Sequence, residues 1–588
     1  MKRGKRNLLL AAWRIARPYW TSEEKWSAWG LLLTVIALSL GNVYISVLLN
    51  QWNNAFYNTL QTFDGPGFFR EIGIFCVLAG ISIVMSVYAL YLNQMLQIRW
   101  RRWLTRKYLG AWLDHRAYYR LQLQNTGGPS ASDLPIADNP DQRISEDLNQ
   151  FTTYVLSLSL GLLTSVVSLA SFLMILWALS GPAAIPLGKW GTLYIPGYLV
   201  WAALIYAGAG TWLTVKIGRP LVSLNFLRQR FEADFRFSLV RLRENAEGIA
   251  FYGGESVERD VLHERFQDIF VNFWRIMKRQ KSLTWFTVGY AQIAIIFPVL
   301  VVAPRYFAKQ IGLGGLMQVI NAFSTVQSSL SFIITSYTDI AVWQAVTERL
   351  AGFEGRLSDI QSATKGPQKL LTRYGTNRLA LENVNVDLPD GTRLLRNFSL
   401  NACAGERVLI TGPSGGGKST LLRVVAGLWP FGRGTIDLCD RKILFLPQRP
   451  YLPLGTLARA LAYPRDSESS YSTVQLRDAL ETVGLGPLED KLDIADDWSQ
   501  RLSLGEQQRL AFARILLATP NLVFLDEATS ALDESSEAEL YDILCAAPWR
   551  PIVISVGHRS TLRRFHDQVI DLAPFNERFA KEDACSVA

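Results

Sequence analysis

The stretch Gly412-Pro413-Ser414-Gly415-Gly416-Gly417-Lys418-Ser419-Thr420 decides how the second half of the chain folds. It lies between the apolar run Val408–Thr411 and the apolar run Leu421–Ala426, a pattern that predicts a strand, a glycine-rich turn and a helix. Glycines at 412, 415 and 417 permit positive φ, so backbone N–H groups and the helix N-terminus would face a polyphosphate. Lys418 would contact the β- and γ-phosphates and Ser419 a Mg²⁺ ion. A chance glycine-rich turn is disfavoured by this context, and the sequence predicts a phosphate-binding loop.

The rest of the chain divides into an apolar first part and a more polar second part. Of its 588 residues, 49% are hydrophobic and 19% are charged, and this length predicts two or more domains. Runs long enough to cross a bilayer occur only before about residue 345. The remainder has the pattern of an α/β domain.

Charge and metal-binding residue types exclude several classes of function. The net charge is +9, but the basic residues cluster beside the apolar runs, as the positive-inside rule predicts, so no nucleic-acid partner is expected. Five cysteines and four histidines show no metal-ligand spacing, which predicts a reducing setting and no structural metal. The basic N-terminus lacks a small-residue cleavage site and is predicted to be a retained cytoplasmic segment.

Six apolar segments predict six membrane-spanning helices. Their approximate limits are 29–49, 69–96, 155–179, 193–215, 285–307 and 316–342. The fifth contains Pro298 and Pro304, which are expected to kink or break it. Arginine and lysine concentrate after the second and fourth segments, whereas the connections 53–66 and 181–189 nearly lack them. Both termini, the long loops and the phosphate-binding loop are therefore predicted to be cytoplasmic.

The sixth apolar segment carries polar residues at roughly helical spacing. They are Asn321, Thr325, Ser328, Thr335 and Asp339. Such a stripe must face other helices or water, because unpaired polar groups are costly in lipid. Two interpretations stay open, the wall of a substrate path and polar packing between helices.

Two segments of the long loops are also distinctive. Residues 137–146 contain an Asn-Pro turn before an acidic helix start, and Asn245–Glu255 predicts a helix ended by paired glycines. Both suit either ordinary loop corners or contact surfaces for the soluble part.

Downstream of the phosphate-binding loop, Leu522–Asp526 predicts a buried strand that ends in a carboxylate. Asp526 would hold Mg²⁺ directly or through water, and Glu527 would orient and polarise the water that attacks the γ-phosphate. Although an acidic turn after an apolar strand is common, its combination with the loop at 412 favours a metal-nucleotide site.

Further motifs complete a nucleotide site. Gln448 follows the predicted strand Ile443–Leu446 and could contact Mg²⁺ and the attacking water. Leu502–Arg509 begins a helix whose N-terminal amides and Ser503 could bind phosphate. The segment Ser530–Asp533 follows Glu527, and His558 follows the predicted strand Ile552–Val556. Each motif is weak alone, but their order is unlike a chance arrangement.

With these motifs the chain resembles ABC transporters in which a transmembrane domain is fused to a nucleotide-binding domain. Walker A is 412–420, the Q-loop is Gln448, the signature is 502–506, Walker B is 522–526 and the switch histidine is His558. In that family the signature of one subunit closes over the Walker A of the other. The resemblance therefore implies a homodimer with twelve spans and two composite ATP sites.

A narrower resemblance is carried by Asn139–Arg143, Asn245–Glu255 and Pro447–Pro453. These segments are similar to the peroxisomal fatty-acyl transporters of ABC subfamily D and to the bacterial SbmA/BacA-like proteins. Asn50–Tyr57 resembles the bacterial branch, which includes proteins associated with uptake of antimicrobial peptides and other large hydrophilic solutes.

The sequence departs from the family at two places. The signature has Leu504 where glycine is usual and Glu506 where glutamine is frequent, but Ser503 and Gly505 are kept. Leu388 occupies the position of an aromatic residue that stacks on adenine in many members, and Tyr374 is a candidate substitute.

These observations define the expected fold and site. The fold is a helical membrane domain of six spans (1–350), a linker (351–376), an α/β P-loop ABC nucleotide-binding domain (377–575) and a tail (576–588). The expected catalytic residues are Glu527, His558, Gln448 and Lys418, and the expected metal ligands are Ser419, Gln448 and Asp526. The expected nucleotide-binding residues are Gly412, Pro413, Ser414, Gly415, Gly416, Gly417, Lys418, Ser419, Thr420, Ser503, Gly505, Glu506 and Asp533.

The expected activity is ATP-driven transport across a bacterial inner membrane by a homodimer that binds ATP and Mg²⁺. The resemblance to the bacterial branch favours import of peptides or other large hydrophilic solutes. Transport of fatty acyl-CoA or another lipid, and a membrane-anchored regulatory ATPase that moves nothing, are the alternatives.

Overall fold

The computed structural model describes residues 2–126, 139–180, 182–186, 192–365, 370–375, 378–439, 442–465 and 470–576. These residues form two compact units. The membrane unit comprises residues 1–110 and 139–355, and the nucleotide unit comprises residues 111–138 and 356–588. Most of the predicted tail, 577–588, and the first two residues of the 137–146 segment lie outside the described residues.

The membrane unit is built from long helices and one short hairpin. Its helices are α1 (Lys2–Trp20), α2 (Lys25–Gln61), α3 (Gly65–Leu113), α5 (Pro140–Gln142), α6 (Leu148–Ser180), α7 (Tyr198–Glu244), α8 (Ala246–Tyr252), α9 (Glu255–Phe307), α10 (Leu313–Thr335) and α11 (Tyr337–Lys365). The last residues of α3 and of α11 belong to the nucleotide unit. Strands β1 (Pro182–Pro186) and β2 (Thr192–Pro196) pair antiparallel.

Among the described residues, five helical segments are long and apolar enough to span a membrane. They are Lys25–Gln61, Gly65–Leu123, Pro140–Ser180, Tyr198–Glu244 and Glu255–Phe307, which correspond to the first five predicted spans. The sixth predicted span is helical, but it forms α10 and α11 on either side of Ser336 and is not one of these five. Its polar residues lower its hydropathy. That both termini lie on the cytoplasmic side stays a prediction.

Two local expectations in the membrane unit were wrong. The fifth predicted span does not break at Pro298 or Pro304, because α9 continues through both to Phe307, and a kink at these residues stays a prediction. A proline within a helix removes one N–H, and the remaining bonds can carry the helix past it. The fourth predicted span starts too early, since Leu193 lies in β2 and α7 begins only after Gly197, whose φ is 65°.

The core of the membrane unit forms around α10. Phe323 and Val326 on this helix pack with Phe172 and Leu176 of α6 and with Val302 of α9. Each of these side chains is almost completely buried.

The short helix α8 connects α7 to α9. It ends at Gly253 in the left-handed conformation (φ 60°), as the paired glycines predicted.

The nucleotide unit begins with the chain that follows α3. A short 3-10 turn, Asp114–Arg116, leads into α4 (Ala117–Thr126). Arg116 donates a hydrogen bond of 2.5 Å from Nη1 to the carbonyl oxygen of Ala426. His115 and Arg116 both have positive φ, 52° and 56°, a conformation that costs energy for residues other than glycine.

The nucleotide unit contains three sheets. Its strands are β3 (Leu370–Tyr374), β4 (Arg378–Asp387), β5 (Arg393–Cys403), β6 (Arg407–Thr411), β7 (Gly432–Leu438), β8 (Ile443–Leu446), β9 (Gly455–Thr456), β10 (Ala495–Asp496), β11 (Leu522–Asp526), β12 (Ile552–Val556) and β13 (Gln568–Asp571). The central sheet has the order β13-β6-β12-β11-β8 and is parallel throughout. A mixed sheet has the order β3-β7-β4-β5, and β9 pairs with β10.

Helices pack around these sheets. They are α12 (Lys418–Val425), α13 (Leu457–Ala462), α14 (Thr473–Thr482), α15 (Trp498–Arg501), α16 (Leu504–Ala518) and α17 (Glu534–Cys545), with 3-10 turns at Gly486–Lys491, Ser560–Phe565 and Ala573–Phe575. Because parallel strands end at the same edge of a sheet, the loops after β6, β8, β11 and β12 converge there. These are the loops that carry the predicted site residues.

The predicted linker 351–376 is largely regular. Helix α11 continues to Lys365, and β3 occupies Leu370–Tyr374. Tertiary pairing fixes the strand in this segment, because β3 bonds in parallel to β7.

Candidate nucleotide-binding and hydrolysis site

The predicted phosphate-binding loop has the backbone that its glycines allow. Gly412, Gly415 and Gly417 have φ values of 142°, 76° and 94°. Gly417 is the N-cap of α12, and a Cβ added there would lie 3.0 Å from a methyl carbon of Leu394. The loop therefore connects β6 to the N-terminus of α12 as predicted, with a conformation that disfavours side chains at these three positions.

Lys418, the first residue of α12, is 6% exposed and turns back over the loop. Its Nζ donates to the carbonyl oxygens of Gly412, at 2.8 Å, and Pro413, at 3.0 Å. Burial lowers the pKa of Lys418, while the nearby carboxylates of Glu527 and Asp526 act in the opposite direction. The ammonium is thus held at the mouth of the loop, next to the two acidic residues that follow β11.

The residues predicted to hold Mg²⁺ come together from two elements. Ser419 Oγ donates to Asp526 Oδ1 at 2.9 Å, which joins α12 to the end of β11. Burial raises the pKa of Asp526, and the hydrogen bond from Ser419 opposes that shift. A hydroxyl and a carboxylate oxygen are the hard donors that Mg²⁺ prefers, so the residues fit this ion.

Glu527 lies at the centre of three converging loops. Its backbone has a left-handed φ of 49°, and its N–H donates to the carbonyl of Val556 at 3.0 Å. Gln448 Nε2 donates to Glu527 Oε2 at 2.9 Å, and His558 Nε2 lies 3.4 Å from Glu527 Oε1. The structure thus brings together three of the four predicted catalytic residues, one from each of the loops after β8, β11 and β12.

The predicted signature begins α16 with a reciprocal capping box. Ser503 is the N-cap, and its Oγ accepts from the N–H of Glu506 at 3.3 Å. Glu506 Oε2 accepts from the N–H of Ser503 at 2.8 Å. A glutamate at this position therefore caps the helix as glutamine would.

The other signature residues and Asp533 occupy the adjoining turn. A Cβ added to Gly505 would lie 3.4 Å from the carbonyl oxygen of Ala531, so Gly505 allows this close approach. Asp533 is the N-cap of α17, and hydrogen bonds from Ser536 lower the pKa of its carboxyl.

Of the two residues considered for adenine, Tyr374 ends β3 of the mixed sheet and Leu388 directly follows β4. Leu388 is partly buried against the core of that sheet, and Tyr374, at the end of β3, is 54% exposed. Tyr374 is thus accessible to a solute, whereas Leu388 contributes mainly to packing.

Sequence reasoning missed two residues that contact the site loops. Gln508 of α16 and Arg559, next to His558, hydrogen-bond to the turn that follows Glu527. The signal for Arg559 was its position beside the histidine. Gln508 had no clear signal, because α16 also carries Glu506, Gln507, Arg509 and Arg514.

The three hydroxyl groups in the polar stripe of the sixth predicted span hydrogen-bond within their own helix. Thr325 Oγ1 donates to the carbonyl of Asn321, Ser328 Oγ to Thr325 and Thr335 Oγ1 to Ser331. Ser328 and Thr335 are exposed on the membrane unit. These bonds suit both interpretations, because a hydroxyl paired to its own helix tolerates lipid, a neighbouring helix or water.

Comparison with known families identifies the chain. Residues 15–307 match the family described as "ABC transporter transmembrane region 2", and residues 395–530 match the family described as "ABC transporter". An uncharacterized ABC transporter ATP-binding protein of Haemophilus influenzae is 38% identical over 95% of this chain and 91% of its own length. The chain belongs to the ABC transporters. It is an ATP-hydrolysing ABC half-transporter, with the membrane region and the ATP-binding region fused in one polypeptide.

This half-transporter is related to ABC subfamily D. The chloroplastic ABC transporter D family member 2 of Arabidopsis thaliana is 37% identical over 95% of this chain and 85% of its own length. A solved bacterial Atm1-family ABC exporter with ATP bound aligns with a TM-score of 0.68, at 18% identity, over 97% of this chain and 99% of the exporter chain. That alignment shows the shared exporter-like fold.

Proposed function

We propose that two copies of this half-transporter assemble with two composite ATP sites, and that Glu527 is the general base of ATP hydrolysis. The observation that carries the second proposal is the position of Glu527, held in a left-handed backbone with its carboxylate between Gln448 and His558. A carboxylate fixed in this way is arranged to accept a proton rather than to stabilise the fold.

The residues of the site suggest how hydrolysis proceeds. The N–H groups of the loop 412–420 and the ammonium of Lys418 bind the β- and γ-phosphates and stabilise the charge of the transferring group. A water molecule attacks the γ-phosphorus, its proton passes to Glu527, and the bond to the β–γ bridging oxygen breaks to give ADP and phosphate. Gln448 and His558 orient the carboxylate. Asp526, Ser419 and Gln448 would hold Mg²⁺, which supplies positive charge to the phosphate oxygens.

In the proposed dimer the signature of one copy completes the ATP site of the other. The capping box between Ser503 and Glu506 fixes the first turn of α16, so the helix N-terminus can present N–H groups to a γ-phosphate. The Ser503 hydroxyl donates to Glu506 Oε2 at 2.7 Å and would exchange that bond for one to the phosphate. Gly505 gives the backbone room beside the 530–533 turn, and Asp533 belongs to that turn. ATP would thus bring two nucleotide units together, and hydrolysis would release them.

Substitution of Glu527 tests the assignment of the base. Glu527→Gln keeps the size and the hydrogen-bonding of the side chain but removes its basicity, so ATP binding should persist while hydrolysis falls by at least ~10²-fold. The measurement is ATP turnover and ATP binding by the protein reconstituted in lipid. Glu534→Gln, an exposed glutamate on α17, is the matched control. Near-normal turnover in Glu527→Gln would remove Glu527 from this role.

For the cargo, we propose peptides or other large hydrophilic solutes, with import as the direction. The support is the resemblance of Asn50–Tyr57 to the peptide-uptake branch and the exposed hydroxyls of α10. Fatty acyl-CoA is the second candidate, favoured by the relation to subfamily D. Stimulation of ATPase activity by cationic peptides, compared with acyl-CoA, distinguishes the two.

The membrane position follows from the same proposal. We propose that the nucleotide unit and both termini lie in the cytoplasm of a bacterial cell, with the helices in the inner membrane, and the basic residues after the second and fourth spans support this. ATP-dependent accumulation of a labelled peptide in sealed inverted vesicles would indicate export, and loss of preloaded peptide from them would indicate import. A protein that only regulates would move no solute in either direction.

A further inference from the structure

Gln508 is a fully buried polar residue whose side-chain amide makes all its hydrogen bonds to two loops of the hydrolysis site. It lies on α16 and is 0% exposed. Its Nε2 donates to the carbonyl oxygen of Gln448 at 3.0 Å and to Ser530 Oγ at 3.3 Å. Its Oε1 accepts from the N–H of Ala531 at 3.0 Å. Both amide N–H groups and the amide oxygen are therefore used, and the geometry leaves this side chain one orientation.

The hydrogen-bond partners of Gln508 lie next to the proposed base, Glu527, and in Gln448, which donates to it. It bonds to the main chain of Gln448, whose side chain donates to Glu527. It also bonds to the turn that begins at Glu527, in which the N–H of Ser530 donates to the carbonyl of Glu527 at 3.0 Å. A shift of Gln508 would therefore move Gln448 and the turn of Glu527 relative to each other.

The turn after Glu527 is held on its other side by Arg559. Arg559 Nη2 donates to the carbonyl of Ser530 at 3.0 Å and Nη1 to that of Leu532 at 2.8 Å. Arg559 also lies 3.5 Å from Glu537, a 1% exposed carboxylate. Arg559 thus anchors one side of this turn to the loop of His558. Gln508 joins the opposite side of the turn to the signature helix.

We propose that Gln508 is a positioning residue, which transmits the placement of the signature helix to the pair formed by Gln448 and Glu527. The same helix carries Ser503 at its N-terminus, so Gln508 would connect the phosphate-facing turn of one composite site to the hydrolytic pair of the other. The inference rests on the proposed role of Glu527. It assigns no contact between Gln508 and ATP.

The direct test is ATP hydrolysis by the full-length protein in lipid with Gln508→Leu. Misplaced catalytic groups lower the rate of the chemical step more than substrate binding, so kcat should fall at least ~10-fold while the KM for ATP stays within ~3-fold. Gln568→Leu, at an exposed glutamine on β13 outside the site, is the matched control. Equal kcat in the two variants would overturn the inference.

A double-mutant cycle separates positioning from a general structural effect. If Gln508 acts through Glu527, Gln508→Leu should cause no further loss of residual hydrolysis in the Glu527→Gln background. Independent, multiplicative losses would overturn the inference. If Gln508→Leu does not fold, Gln508→Glu serves instead, since it keeps an acceptor for the N–H of Ala531 but loses the donor to Gln448, and it should also lower kcat.

The outcomes for the two proposals can be distinguished. Near-normal turnover of the single variant Glu527→Gln contradicts the proposed base, whatever Gln508 does. A strong loss in Glu527→Gln with wild-type kcat in Gln508→Leu contradicts only the positioning role.

Discussion

A buried carboxylate of the membrane unit is paired with two arginines, whereas the charged and polar side chains of the nucleotide site stay partly exposed. Asp147 is 1% exposed and is paired with Arg143 and Arg349, each through a contact of 2.7 Å. In the nucleotide unit the side chains of Glu527 and His558 are 28% and 46% exposed. A buried carboxylate is costly unless opposite charges pair with it, whereas a hydrolysis site must keep groups accessible to ATP and water.

Polar side chains of the membrane unit also join α2 to the start of α10. Asn54 Nδ2 donates to Gln318 Oε1 at 2.8 Å, and Asn58 accepts from the N–H of Gly314 at 3.1 Å, which joins α2 to the start of α10. These bonds fix two helices against each other. We therefore expect substitutions of buried polar or closely packed residues in the membrane unit to change stability, and substitutions at the nucleotide site to change rate.

The largest expected effect is on Asp147, which joins the start of α6 to α11. Asp147→Ala leaves Arg143, whose side chain is 9% exposed, without its carboxylate. Breaking a buried ion pair in this way costs about 3–5 kcal/mol of unfolding free energy. The measurement is denaturation of the detergent-solubilised protein by heat or SDS.

An exposed pair in the same unit provides the control for Asp147. Glu24→Ala removes the partner of Arg102, whose side chain is 53% exposed, and this should cost about 0–1 kcal/mol. Equal losses in the two variants would contradict the role of burial.

The next effect concerns Lys418 and should appear in rate. Lys418→Met keeps the aliphatic stem but removes the charge that we propose binds the phosphates, so hydrolysis should fall by at least ~10²-fold. The denaturation midpoint should move little, since the carbonyls of Gly412 and Pro413 can then bond to water. Lys491→Met, at an exposed lysine, is the control for turnover. If Lys418→Met lost much stability but little hydrolysis rate, the expectation that substitutions at the nucleotide site act on rate would be wrong.

A smaller effect is expected at Gly314, where α10 lies close to α2. A Cβ there would come 2.0 Å from the backbone oxygen of Asn54, so Gly314→Ala should force the helices apart at a cost of about 1–3 kcal/mol. Gly289 of α9 has no atom within 4 Å of its added Cβ, and Gly289→Ala should be neutral or stabilising, because alanine favours helix. Similar thermal shifts in the two variants would show that this contact is not tight.

The smallest effect is expected at Glu506 in the signature. Glu506→Ala removes one half of the capping box and should lower the stability of the nucleotide unit by about 0.3–1.5 kcal/mol. Glu506→Gln should keep the box, because a glutamine oxygen also accepts from the N–H of Ser503. Hydrogen exchange at the first turn of α16 measures the difference. Equal exchange in both variants would mean that the side chain does not cap the helix in solution.

The sequence predicted the nucleotide half more fully than the membrane half. The strand, turn and helix around 412–420, the strand that ends at Asp526 and the strand before His558 are confirmed, because local chain geometry and continuous apolar runs determine them. In the membrane half, apolar length found five spans but misjudged Pro298 and Pro304 and the start of α7. Hydropathy measures composition, and it contains no information on which backbone bonds survive a proline.

By itself, then, the sequence determined the two-part organisation, the phosphate-binding loop and the residues that could act on ATP, because these depend on short segments with a fixed local geometry. Only the tertiary structure decided which residues meet. Gln448 and Glu527 are 79 residues apart and Asp147 and Arg349 are 202 apart, and Gln508 contacts its loops through the packing of α16. Such pairings depend on the parallel order of the strands and on helix packing, which no local pattern specifies.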